Sequence, residues 1–119
     1  MTAVFFVLAA ALGGGARYLL DSSVKNRLSP TGPAGVLAVN VLGSALFGVA
    51  TGLLDGDTIG YAEWSVLAGF CGAFTTYSTA AVEVAYLFRG RRWALGLAYW
   101  LGMAVACIGV AWLGFVGAR

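Results

Sequence analysis

The sequence predicts an all-α membrane protein with four transmembrane helices, the third broken near its middle. Three observations predict it. Hydrophobic residues make up 61% of the 119 residues and charged residues only 10%, whereas soluble domains carry about a quarter charged residues. The apolar residues fall into four runs, each near the ~20 residues that cross a bilayer core. One run contains Gly69-Phe70-Cys71-Gly72-Ala73-Phe74-Thr75-Thr76-Tyr77-Ser78-Thr79. In hydrocarbon such hydroxyls persist mainly where protein, water or an ion satisfies them.

The chain reads as one domain, residues 1–119, with spans at about 3–20, 33–54, 61–88 and 93–118. The N-terminal stretch Ala3 to Leu12 could pass for a signal-peptide core. It lacks a basic stretch before it, and the apolar pattern resumes through Leu20, so it reads as a transmembrane helix. A loop over Asp21–Gly32 follows, with Pro30-Thr31-Gly32-Pro33 as punctuation, and Pro33 suits the first turn of the second helix. The acidic loop Asp55-Gly56-Asp57 precedes the third span, and the basic turn Arg89-Gly90-Arg91-Arg92 precedes the fourth. Tyr61, Trp64, Tyr86 and Trp93 lie near predicted span ends, where amphipathic rings prefer the interface. Gly48, Gly52 and Gly56 recur at four-residue spacing, as do Ala98, Gly102 and Ala106. Such rows let helix backbones approach closely.

Four helices of this size leave little interior, so the sequence predicts an oligomer. The net charge is +2 and the basic residues sit in two loops, which gives no footprint for nucleic acid. The chain has no histidine, which excludes His-based metal sites and proton relays. Cys71 and Cys107 lie inside apolar runs and read as small core residues. The first and third loops share a side and hold Lys25, Arg27, Arg89, Arg91 and Arg92, against Arg119 and the N-terminal amine opposite. The positive-inside rule then puts both termini outside the cytoplasm.

The third span carries the chemistry. Gly69 and Gly72 weaken a helix, and the hydroxyls of Thr75, Thr76 and Thr79 compete for backbone hydrogen bonds. A break near Gly72–Thr76 would free carbonyls for a cation, or amides and hydroxyls for an anion. An intact helix with its hydroxyls bonded to the preceding turn is equally compatible with the sequence. In the second span, Asn40 offers two donors that suit an anion, or an interhelical packing bond. Glu83 faces a water-filled vestibule or sits at the interface. Arg17, at the end of the first span, snorkels to headgroups or draws anions into a pore mouth.

Three motifs resemble the small Fluc/CrcB fluoride channels: Gly14-Gly15-Ala16-Arg17-Tyr18, Val39-Asn40-Val41-Leu42-Gly43-Ser44, and the Gly69–Thr79 segment. The resemblance covers nearly the whole chain. It implies an antiparallel, dual-topology-type dimer with two narrow fluoride pathways. It also implies a structural sodium ion held by backbone carbonyls, at positions that look like Gly72 and Thr75. The implied pathway residues are Asn40, Tyr77, Ser78, Thr79 and Tyr99, with Glu83 at the vestibule and Arg17 toward the mouth. Fluoride exchanges its water for short bonds to amide and hydroxyl donors, and the electropositive edges of aromatic rings can touch an anion. The fixed sodium charge offsets the anion's.

The chain also departs from the family pattern. Tyr77 and Ala80 stand where the family has two phenylalanines, and Met103 and Cys107 stand near family serines. The one-sided loop charge suits a subunit of fixed orientation. These features together suggest pairing with an oppositely inserted homologue that supplies the missing ring. The leading expectation is a fluoride channel subunit mediating passive export, not an enzyme, with fluoride and the lipid bilayer as its partners. One alternative is a small four-helix proton-coupled multidrug exporter, although the first span lacks the acidic residue such exchange needs. The other is a non-conducting scaffold subunit of a heteromeric channel.

Overall fold

The computed structural model describes residues 1–28, 33–54 and 59–119. The Pro30-Thr31-Gly32 punctuation and the acidic loop Asp55-Gly56-Asp57 lie outside the described residues. Five helices follow in order: α1 (Thr2–Arg27), α2 (Ala34–Leu53), α3 (Tyr61–Phe74), α4 (Ser78–Arg89) and α5 (Trp93–Ala118). Four stretches are long and apolar enough to cross a membrane: α1, α2, α3 with α4, and α5.

α1 outruns its apolar part. The sequence reads Asp21 onward as loop, but the helix continues to Arg27. Local pairing explains the extension. Lys25 Nζ donates to Asp21 Oδ2 at 2.9 Å one turn earlier, and Ser23 Oγ donates to the Leu19 carbonyl at 2.7 Å. Such i, i+4 pairs stabilise a helix that leaves the hydrocarbon. Arg17 therefore lies well inside α1, not at its end.

Two close helix pairs form the body: α1 with α3, and α2 with α5. Glycine permits both. A Cβ at Gly13 would strike the Phe70 carbonyl on α3, and one at Gly69 would meet the Phe6 carbonyl on α1 at 2.5 Å. Gly48 and Gly52 approach α5 in the same way, at the Ala111 and Phe115 carbonyls. The Gly102 row differs, because a Cβ there meets no atom within 4 Å. That row faces outward.

α4 leaves the α1 side and packs on α5. The segment Thr75–Tyr77 thus carries the chain from one packing partner to the other, with α2 beside both. The α4–α5 turn closes tightly. The Arg92 N–H donates to the Leu87 carbonyl at 2.9 Å and the Arg91 N–H to Phe88 at 3.0 Å, with Arg91 at φ 58°. This is a Schellman closure whose left-handed position is filled by arginine, one residue after Gly90.

The buried apolar set is small: Ala9, Val36, Val39, Cys71, Phe74, Ala80, Val84 and Met103. Most large apolar side chains on α1 and α5 face outward, as lipid or another chain would require.

Candidate functional site

At the end of α3 the helical hydrogen-bond ladder is intercepted by side chains. In a continuing helix the Thr76 N–H would go to the Gly72 carbonyl. It goes instead to Asn40 Oδ1 on α2, at 2.7 Å. The Thr79 N–H would go to the Thr75 carbonyl, but Thr76 Oγ1 accepts it at 3.3 Å. Thr75 itself is extended, at φ −82° and ψ 161°. Its hydroxyl donates back to the Cys71 carbonyl at 2.9 Å. The two carbonyls released by these interceptions are those of Gly72 and Thr75.

Asn40 is buried and fully engaged. Its Nδ2 donates to the Thr76 carbonyl at 2.9 Å and contacts Met103 Sδ at 3.3 Å. Because Oδ1 must accept from the Thr76 N–H, the orientation of the amide is fixed. Gly43, one turn on, lets the chain approach: a Cβ there would strike the Thr75 methyl, and the Phe74 ring would lie at 2.9 Å. Asn40, Thr75, Thr76 and Tyr77 line one cavity of about 300 Å³, closed further by Ala80, Met103 and Cys107. Ala80 and Met103 pack in one buried cluster with Val36, flanked by Tyr99 and Cys107.

The remaining sequence-predicted residues separate into neighbouring groups. Ser78 and Thr79 open α4. Thr76 Oγ1 donates to Thr79 Oγ1 at 3.1 Å and lies 3.4 Å from Ser78 Oγ. Tyr77 is 74% exposed, and its ring meets Trp100 edge-on, with centroids 5.3 Å apart at 79°. Tyr99 and Glu83 do not line the Asn40 cavity. They pair with each other, Tyr99 Oη donating to Glu83 Oε2 at 2.9 Å, with the Pro33 carbonyl at 3.3 Å as the other acceptor. Arg17 turns inward, and its Nη1 reaches the Thr75 carbonyl at 3.5 Å. That contact ties α1 to the segment between α3 and α4.

Thr76, Ser44 and Trp100 line the cavity and were not among the candidate site residues. A helical signal existed for two of them. Ser44 follows Asn40 by one turn, and Trp100 precedes Met103 and Cys107 on one stripe of α5.

The family model described as "CrcB-like protein, Camphor Resistance (CrcB)" matches residues 4–115. The chain is 40% identical over 123 aligned positions to "Fluoride-specific ion channel FluC 2" of Cutibacterium acnes, covering 100% of this chain and 99% of the relative. It is 37% identical over 114 positions to "Fluoride-specific ion channel FluC 1" of Leifsonia xyli subsp. xyli, covering 91% and 82%. It is 36% identical over 115 positions to "Fluoride-specific ion channel FluC" of Nitratidesulfovibrio vulgaris, covering 92% of each chain.

Proposed function

The chain belongs to the CrcB-like family, and from that premise we propose that it is a subunit of a fluoride-selective channel in the membrane. Fluoride leaves through it passively, down its gradient. Its relatives are named as ion channels, not as enzymes. One observation carries the reading: a cavity beside the Thr75–Tyr77 segment lined by the Asn40 amide and the hydroxyl side chains of Ser44, Thr75, Thr76 and Tyr77. A dehydrated halide needs such donors, because hydrocarbon offers none.

Each residue has a part. Asn40 supplies an amide proton, and Tyr77, Ser78 and Thr79 supply hydroxyls along the exposed start of α4. The Tyr77 ring offers an electropositive edge. The Tyr99–Glu83 pair belongs to the vestibule. Arg17, at the Thr75 carbonyl, adds positive charge that favours an anion nearby.

A structural sodium ion belongs to the same proposal. The donor set suits it, since the Gly72 and Thr75 carbonyls have lost their helical N–H partners and hard cations take oxygen ligands. The Thr75 carbonyl shares itself with Arg17 at 3.5 Å, so the Gly72 carbonyl is the freer of the two. Bound there, the ion would supply fixed positive charge offsetting the anion's.

The functional unit in this reading is an antiparallel dimer. Five basic residues on one side favour a fixed orientation with both termini outside the cytoplasm. Tyr77 and Ala80 favour an oppositely inserted homologue that supplies a ring to the shared pathway. The numbered names of the relatives, FluC 1 and FluC 2, favour such a second chain. Fluoride efflux from liposomes, with the chain alone and with a homologue, tests this. Efflux should need or be strongly raised by the homologue. Full selective efflux from the lone chain would refute the obligate partner, and no efflux from either preparation would refute the channel.

A further inference from the structure

Resting on the fluoride reading, we propose that the Met103 thioether is a displaceable placeholder for the anion, holding the second amide proton of Asn40 until fluoride takes it. A primary amide has two protons to give. One goes to the Thr76 carbonyl at 2.9 Å and the other points to Met103 Sδ at 3.3 Å. The amide cannot exchange its ends, because Oδ1 accepts the Thr76 N–H at 2.7 Å.

The two acceptors are unequal. A backbone carbonyl is strong, and a thioether sulfur is weak. Hydrogen bonds to an ionised acceptor are about twice as strong as neutral ones. An anion in the cavity therefore competes with sulfur for one N–H and outbids it, while the bond to Thr76 stays. The thioether can yield, since methionine is unbranched and adapts to irregular space. Space exists: Met103 and Asn40 line the same cavity of about 300 Å³, and the small Ala80 side chain lines it too and packs with Met103 in the buried cluster.

This arrangement also discriminates. With sulfur in place no amide proton is orphaned, so the resting site needs neither water nor ion at Asn40. Chloride is also charged but is larger and a weaker hydrogen-bond acceptor, so fluoride displaces the sulfur more readily. Met103 is in this sense a specificity-determining residue.

The composition makes the test direct. The chain has two methionines, Met1 and Met103, two asparagines, Asn26 and Asn40, and no glutamine. Isotope-labelled full-length protein in lipid nanodiscs thus gives one reporter and one control of each type by NMR. The probes are sodium fluoride and sodium chloride at equal ionic strength. Fluoride should shift the Asn40 side-chain amide and the Met103 methyl together, with one saturation curve. Met1 and Asn26 should stay still, and chloride should move none of the four. In Met103→Leu, which keeps volume without an acceptor, half-saturation at Asn40 should fall roughly five-fold, the loss of one weak competing hydrogen bond. A shift at Asn40 with Met103 unmoved overturns the placeholder. So does stillness at both while fluoride efflux is intact, and either result leaves the channel reading standing. Coupled displacement in protein whose liposomes retain fluoride upholds the placeholder and counts against the channel reading.

Discussion

Asn40 and Thr76 exchange two hydrogen bonds, Nδ2 to the carbonyl at 2.9 Å and the N–H to Oδ1 at 2.7 Å. Through this pair α2 holds the chain between α3 and α4. The side chain that lines the cavity is therefore also the clamp that shapes it.

Asn40→Leu should orphan both backbone groups of Thr76 in a buried setting. Each unsatisfied group costs about 1–3 kcal/mol. Unfolding in mixed micelles should show a loss of that order, and fluoride flux should fall with it. Asn40→Asp keeps the acceptor and loses the donors. It should cost stability, because the Thr76 carbonyl loses its donor beside a buried carboxyl, and flux should fall because a carboxylate repels the anion.

Thr76 Oγ1 diverts the Thr79 N–H from the Thr75 carbonyl. Thr76→Val removes that acceptor at nearly constant shape and should cost about 1 kcal/mol, as for other lost caps. Thr76→Ser should recover most of it. Melting in sodium against a large organic cation gives a second readout. A bound ion raises stability by mass action, so sodium should raise the melting temperature of the native protein. It should raise that of Thr76→Val less.

Gly48 marks the closest approach of α2 and α5, where a Cβ would strike the Ala111 carbonyl. Gly48→Ala should lose about 1–3 kcal/mol through overpacking. Gly102→Ala, with no atom within 4 Å of its new methyl, should not destabilise and should gain about 0.5–1 kcal/mol from helix propensity. Equal effects at the two positions would contradict the packing described.

Arg91 holds φ 58° in the α4–α5 turn. A left-handed conformation costs a residue with a Cβ roughly 1–2 kcal/mol. Arg91→Gly should therefore raise stability by about 1 kcal/mol, readable as a higher melting temperature. Gly90→Ala, at φ −75°, should change little.

Much of the architecture was legible because hydrocarbon thickness imposes span length on sequence. The four apolar runs and the polar segment of the third follow from that constraint alone. Detail was lost where tertiary contact decides. The sequence suggests that Gly69 and Gly72 loosen the third span, yet α3 stays helical through both to Phe74. Gly69 serves the approach to Phe6 instead. The ladder is intercepted by Asn40 from another helix, 36 residues away, which no local pattern reveals. Arg17 lies inside α1 and not at its end, because hydropathy ends near Leu20 while the Asp21–Lys25 pair carries the helix to Arg27. The resemblance implies Tyr99 in the pathway and Glu83 at the vestibule, and their mutual bond, outside the Asn40 cavity, shows only in the structure.

The most direct measurement is the reversal potential in a planar bilayer with unequal fluoride on the two sides and chloride making up the difference, with any homologous partner subunit reconstituted alongside. Current should reverse near the fluoride equilibrium potential. Reversal governed by chloride or a cation, or a membrane that stays electrically silent while another solute crosses, would contradict the proposed role of the Asn40 cavity.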